Sequence, residues 1–150
     1  MPASRFFPIV IVIIKAVTIP NLMKADIAGN ELSAIAALRS VSTAATAYHD
    51  KYKAYPPSLE ALGPPSAGRS ASADAAGLLD ASLAHGAGRG YVISYSPLSS
   101  RRYGEFDGFN AEADPIARDS TGSRHFHVDE SGVIREETSG VAGRNSHLLH

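Results

Sequence analysis

The stretch "RHFHVDESGVIR" sets His125, His127 and Asp129 two residues apart. On a β-strand, whose side chains alternate between faces, all three point to one side. Two imidazoles and a carboxylate are donors that zinc accepts, but a site must close with at least three ligands in tetrahedral reach. We read this trio as a solvated polar strand face. "ADPIARDSTGS" offers Asp114, Asp119 and Ser120, hard oxygens suited to calcium, without the spacing of a recognised binding loop. Serines and histidines recur along the chain, yet no GxSxG elbow or comparable nucleophile motif accompanies them. "GAGRG", Gly86 to Gly90, has the composition of a phosphate cradle but precedes a strand and opens no helix, so it reads as a turn. Arg101, Arg102 and Tyr103 read as a solvated loop. The expectation is a protein without catalytic residues, metal, cofactor or small-molecule substrate.

Composition points the same way. The chain has 150 residues, enough for one domain and an appendage. Its formal charge of −1 gives no electrostatic reason to expect nucleic acid. There are no cysteines, which excludes disulfides and thiolate metal sites. Thirteen Gly and nine Pro fall mostly after Tyr55, so the chain divides near residue 54.

What precedes that division is one long helical pattern in two styles. Phe6 to Ile19, "FFPIVIVIIKAVTI", is apolar on every side apart from Lys15. As a helix it spans roughly 21 Å, against about 30 Å for the hydrocarbon core of a bilayer. A cleaved secretory signal accounts for that length but not for the helical pattern that follows it. A buried helix of a soluble core is rarely this apolar all round. Pro8 lies in the first turn, where its missing N–H costs little, whereas Pro20 is expected to kink or locally unwind the helix. Beyond it, Ile35, Leu38, Val41, Ala45, Tyr48 and Tyr52 recur every three or four residues as one apolar stripe. "AYPPS" ends the helix, because each Pro disfavours helical geometry in the residue before it. Phe6 to Lys53 would extend about 70 Å, longer than the remaining mass is wide. The first half therefore projects and only the second half packs on a head.

The remainder reads as that head. In "PPSLEALG", Ser58 caps a short turn anchored by Leu59 and Leu62 and stopped by Gly63. A Pro/Gly/Ser/Ala loop follows, then a turn in which Leu78, Leu79 and Leu83 pack inward. Tyr91, Ile93 and Tyr95 share one strand face; Phe109, Ala111 and Ala113 share another. Arg124–Val128 and Val133–Glu136 flank "DESG", a tight turn with Gly132 at positive φ. The fold class is α+β: a long N-terminal helix, apolar stalk plus amphipathic half, packed on an antiparallel head of three or four strands. The divisions are 1–53 for the helix (1–20 apolar, 21–53 amphipathic), 54–138 for the head and 139–150 for a flexible tail.

These segments together resemble the type IV pilins and the pseudopilins of type II secretion. The resemblance is carried by "IPNLMKADIAGNELSAIAALRSV" (Ile19–Val41), "AYPPSLEALG" (Ala54–Gly63), "GLLDASLAHGAGRGYVISY" (Gly77–Tyr95) and "NAEADPIARDSTGSRHFHVDESGVIR" (Asn110–Arg135). It implies a subunit anchored in the bacterial inner membrane by its helix, with the head in the periplasm, that joins a filament with copies of itself and the assembly machinery and then reaches the cell surface. Ile9, Val10, Ile11, Val12, Ile13, Ile14, Val17 and Ile19 would pack the stalk, Pro20 would kink it, and the stripe from Ile35 to Tyr52 would dock the head. The family's Gly-Phe cut site and following Glu would fall at or before Met1, which implies a misassigned start or a copy without the processing signal. The alternative is a membrane-tethered periplasmic or cell-surface binding module that does not polymerise. A hydrolase, the third class, would need a cleft with perturbed His or Asp groups.

Overall fold

One helix, α1 (Phe7–Tyr52), is 46 residues long, about 70 Å at 1.5 Å per residue. The structure is a computed structural model; it describes residues 7–99 and 105–150, with side chains described from residue 20 onward. Helical geometry continues across Pro20. At the far end, Lys53 turns to φ 63 and its N–H donates to the His49 carbonyl at 2.8 Å, a left-handed cap that stops the helix before Pro56 and Pro57.

Among the described residues five strands form the head: β1 (Tyr91–Ser99), β2 (Phe106–Pro115), β3 (His125–Asp129), β4 (Arg135–Glu137) and β5 (His147–Leu148). Each pairs antiparallel with the next, in the order β1-β2-β3-β4-β5. The period-2 alternation decides which face is dry. Tyr91, Ile93, Phe109, Ala111, Ala113, Phe126 and Val128 are buried on the side that α1 covers. From the helix come Ile35, Leu38, Val41, Ala45 and Tyr48, all buried, with Tyr52 partly buried against them. Helix and sheet thus shield each other's apolar faces.

Between helix and sheet the chain makes two short turns. Ser58 Oγ accepts from the Ala61 N–H at 3.3 Å at the start of a 3₁₀ turn, Glu60–Leu62. Asp80 caps α2 (Ala81–Ala84) by accepting from the Leu83 N–H at 3.0 Å. Leu59, Leu62, Leu79 and Leu83 are buried there, while Leu78 stays exposed. In the β3–β4 hairpin Gly132 has φ 73, and Asp129 Oδ1 accepts from the Ser131 N–H at 2.9 Å, so a residue with free access to left-handed geometry closes the turn.

The α+β class is as expected, with five strands where three or four were anticipated. The addition is β5, from the segment read as a free tail. Leu149 N–H donates to the Ile134 carbonyl at 3.2 Å and Arg135 Nη1 to the Ser146 carbonyl at 3.1 Å. A strand of two residues shows no periodicity, so these bonds leave no trace in the sequence.

One expectation is overturned. Among the described residues no helix is long and apolar enough to cross a membrane. The physical reason is in the sequence: the apolar run carries Lys15 and gives way at Asn21, Lys24 and Asp26 to polar helix. Membrane anchoring therefore falls for the filament subunit and the tethered binding module alike. With it fall the membrane as partner and the inner-membrane placement with a periplasmic head and a later surface location.

Candidate functional site

α1 leaves the head at a sharp boundary. From Pro20 to Asp26 every side chain is exposed, including Leu22 at 61% and Met23 at 46%. Burial begins at Asn30, and Glu31 is only 7% exposed. A carboxylate so placed must find a counter-charge and hydrogen-bond donors.

Glu31 finds both at the start of β3. Its Oε1 accepts from the backbone N–H groups of Ser123 at 3.0 Å and Arg124 at 3.2 Å. Its Oε2 accepts from Arg124 Nε and Nη2, each at 2.9 Å. The other edge of the Arg124 guanidinium holds Glu136 of β4, and the group lies 5.2 Å from the centre of the Phe126 ring. Burial opposes the Arg124 charge, but hydrogen bonds to Glu31 and Glu136 outweigh it and hold the pKa above the ordinary guanidinium value. Alongside, Asn30 Nδ2 donates to the Thr121 carbonyl at 2.9 Å. Farther out, Asp26 and Arg89 come to 4.0 Å, both exposed, a contact of little energetic weight.

Tyr91 supports this clamp from below. Its hydroxyl donates to the Arg124 carbonyl at 2.8 Å. A Cβ at Gly122 would lie 2.0 Å from that oxygen, so only glycine leaves it room. Burial pushes the Tyr91 phenol far above the usual tyrosine range, more than the nearby Arg124 charge lowers it. Tyr95 Oη on the Pro56 carbonyl and Tyr48 Oη on the Ala73 carbonyl, each at 2.9 Å, tie two more irregular segments to the core in the same way.

The residues that suggested chemistry go elsewhere. His125 Nδ1 lies 2.6 Å from Asp114 Oδ1. His127 Nε2 lies 3.1 Å from Asn110 Oδ1. Asp129 is bonded within its own turn and faces Arg144 at 3.5 Å. Each thus has its own protein partner, and among the described residues no three His, Asp or Glu side chains are grouped to hold a metal. The trio is not a solvated face either: His127 is 1% and Asp129 6% exposed, because the returning tail covers them. Asp119 and Ser120 lie in an exposed turn and do not converge with Asp114. Gly86 and Gly90, with φ 79 and 69, make the turn into β1.

No protein-family model, curated protein or solved structure matches this chain. Its established likeness is architectural: a long N-terminal helix on a small antiparallel sheet, a pilin-like arrangement in general. The side chains of Ile9, Val10, Ile11, Val12, Ile13, Ile14, Val17 and Ile19 lie outside the described residues, as do Arg101, Arg102 and Tyr103. Sequence reasoning missed the clamp. One signal was available: Glu31 stands four residues before Ile35 and seven before Leu38, on the apolar stripe, where a charge demands a buried partner.

Proposed function

We propose that this chain is a relative of the type IV pilins and pseudopilins that acts as a non-catalytic, self-associating structural module. No membrane anchoring enters this reading. The head serves as a base, and the clamp at Asn30 and Glu31 fixes the direction in which α1 leaves it. The emergent part of the helix is the contact element, covered by the same part of other copies. The observation that supports this is the helix boundary: burial stops at Asn30, Leu22 and Met23 stand in solvent, and the sequence upstream becomes more apolar still. An apolar helix in water is stable only when neighbours cover it.

The absence of native cysteine makes a direct test available. A single thiol in Leu22→Cys should form an inter-copy disulfide rapidly under mild oxidation. Ile116→Cys, on an exposed head position, should remain largely reduced. Equal crosslinking at the two positions, or none at Leu22→Cys, would remove the emergent helix as the contact element.

A further inference from the structure

The C-terminal segment forms a strap across the sheet face opposite α1. Arg144 donates to Glu130 Oε1 at 3.0 Å and Oε2 at 2.8 Å, and lies 3.5 Å from Asp129 Oδ2. It also donates through Nε to Asn110 Oδ1 at 3.3 Å. Within the strap Ala142 is buried, and β5 secures its end on β4.

His127 lies under this lock. It shares the Asn110 Oδ1 acceptor with Arg144, and that sharing fixes its tautomer. An arginine can only donate, so the shared atom is a carbonyl oxygen, and His127 Nε2 must carry the hydrogen that reaches it. Nδ1 is then a bare lone pair, and it has no hydrogen-bond partner among the described residues. A proton arriving at Nδ1 would meet no acceptor and would set a cation between Arg135, its cross-strand neighbour on β4, and Arg144.

We propose that residues 140–149 are an acid-released strap, in which protonation of His127 expels Arg144 and frees β5 from the β4 edge. This does not depend on the self-association reading. The charged groups around His127 come from every packed element. β2 places Glu112 opposite it, β3 brings Asp129 with His125 beyond, the hairpin brings Glu130, β4 brings Arg135, and the strap brings Arg144. On β5, His147 acts on Glu137 instead. The carboxylates do not cancel the effect. Asp129 is committed to Ser131 and Arg144, and Glu130 to Arg144 and the Phe109 N–H. Glu112 is pushed toward its neutral form by burial and by Asp114.

Burial, reinforced by Arg144 and Arg135 against the pull of Asp129, holds His127 below its ordinary value of 6.5 while the strap is closed. The lifted state restores the ordinary value, so it binds the proton better, and closure is lost as pH falls below about 6.5. Asp129 and Glu130 are held below the usual carboxylate range despite burial, by bonds to Ser131 and to Arg144 respectively. They favour the closed form until pH falls toward about 4, so the histidine window lies above theirs.

Hydrogen exchange on the full chain at pH 7.5 and 5.5, with exchange times scaled to the intrinsic rate, tests this. In wild type, protection of residues 140–149 should fall at the lower pH, by at most about tenfold, since each unit below an ordinary histidine pKa shifts the ratio by up to that factor. In His127→Gln, which keeps a donor for Asn110 but cannot titrate, protection should be equal at both values. Unchanged protection in wild type, or the same fall in His127→Gln, would overturn the proposal. Should that variant not fold, NMR titration of wild-type His127 decides: a pKa below 6.5 is expected, and one at or above 6.5 would overturn it.

Discussion

The Glu31 carboxylate and the Arg124 guanidinium, 93 positions apart in the chain, meet at 2.9 Å and join the helix to the first residue before β3. Glu31 also accepts two backbone N–H groups, so its removal orphans donors as well as a charge. Arg124 keeps Glu136 and is about a third exposed, which places the loss below that of a fully buried pair. Glu31→Ala should therefore cost about 2–3 kcal/mol, measured as a lower urea midpoint with unchanged slope. Arg124→Lys should be nearly as damaging, because a point charge cannot reproduce the fork that spans two carboxylates.

The buried Tyr48 and Tyr91 and the partly buried Tyr55 and Tyr95 make alkaline stability a second test. Burial first, then neighbouring charges, raises the Tyr91, Tyr95, Tyr48 and Tyr55 phenols above the ordinary value of 10.0. A folded pKa raised in this way favours the protonated native state. Its contribution is complete below pH 10 and is lost as pH rises beyond it. Phenolate absorbance should therefore show these four tyrosines ionising above pH 10, together with unfolding. Smooth titration of these phenols near 10, with the fold intact, would contradict the burial described.

Leu38 and Leu32 offer a contrast within one helix. Leu38 is fully buried against the sheet, whereas Leu32 is 68% exposed. Leu38→Ala should cost about 2–5 kcal/mol, and Leu32→Ala should stay within about 0.5 kcal/mol. Thermal or chemical denaturation of the two variants checks the facing of α1 on the head.

Gly122 should tolerate no side chain. Gly122→Ala would drive a methyl into the Tyr91 hydroxyl, at a cost of about 1–3 kcal/mol from overpacking. Tyr91→Phe removes only the bond to the Arg124 carbonyl and should cost about 1 kcal/mol. The order of the two, read by urea unfolding, tests whether that hydroxyl holds the turn before β3.

Much of the architecture is legible in local periodicity. The spacing of Ile35, Leu38, Val41, Ala45 and Tyr48 marks a helix face, and the alternation of Tyr91, Ile93 and Tyr95 marks a strand face; both are local and follow from backbone geometry. Gly132 betrays its hairpin for the same reason. The clamp and the strap are another matter. Glu31 meets Arg124, and Arg144 meets Glu130, only after the sheet has assembled, and a single sequence carries no record of such pairings. The burial of His127 is not legible either, because alternation tells which side of a strand a residue takes but not whether a later segment covers that side. The membrane expectation fails on length and charge, since the apolar run carries Lys15 and gives way at Asn21, Lys24 and Asp26 to polar helix.

The most direct test of the central claim is sedimentation velocity of the full chain in detergent-free buffer across a range of concentrations. Self-covering of the emergent helix predicts species larger than one copy that grow with concentration and collapse toward one copy in Leu22→Glu/Met23→Glu. A single boundary at the mass of one chain, at every concentration and unchanged by those substitutions, would contradict it.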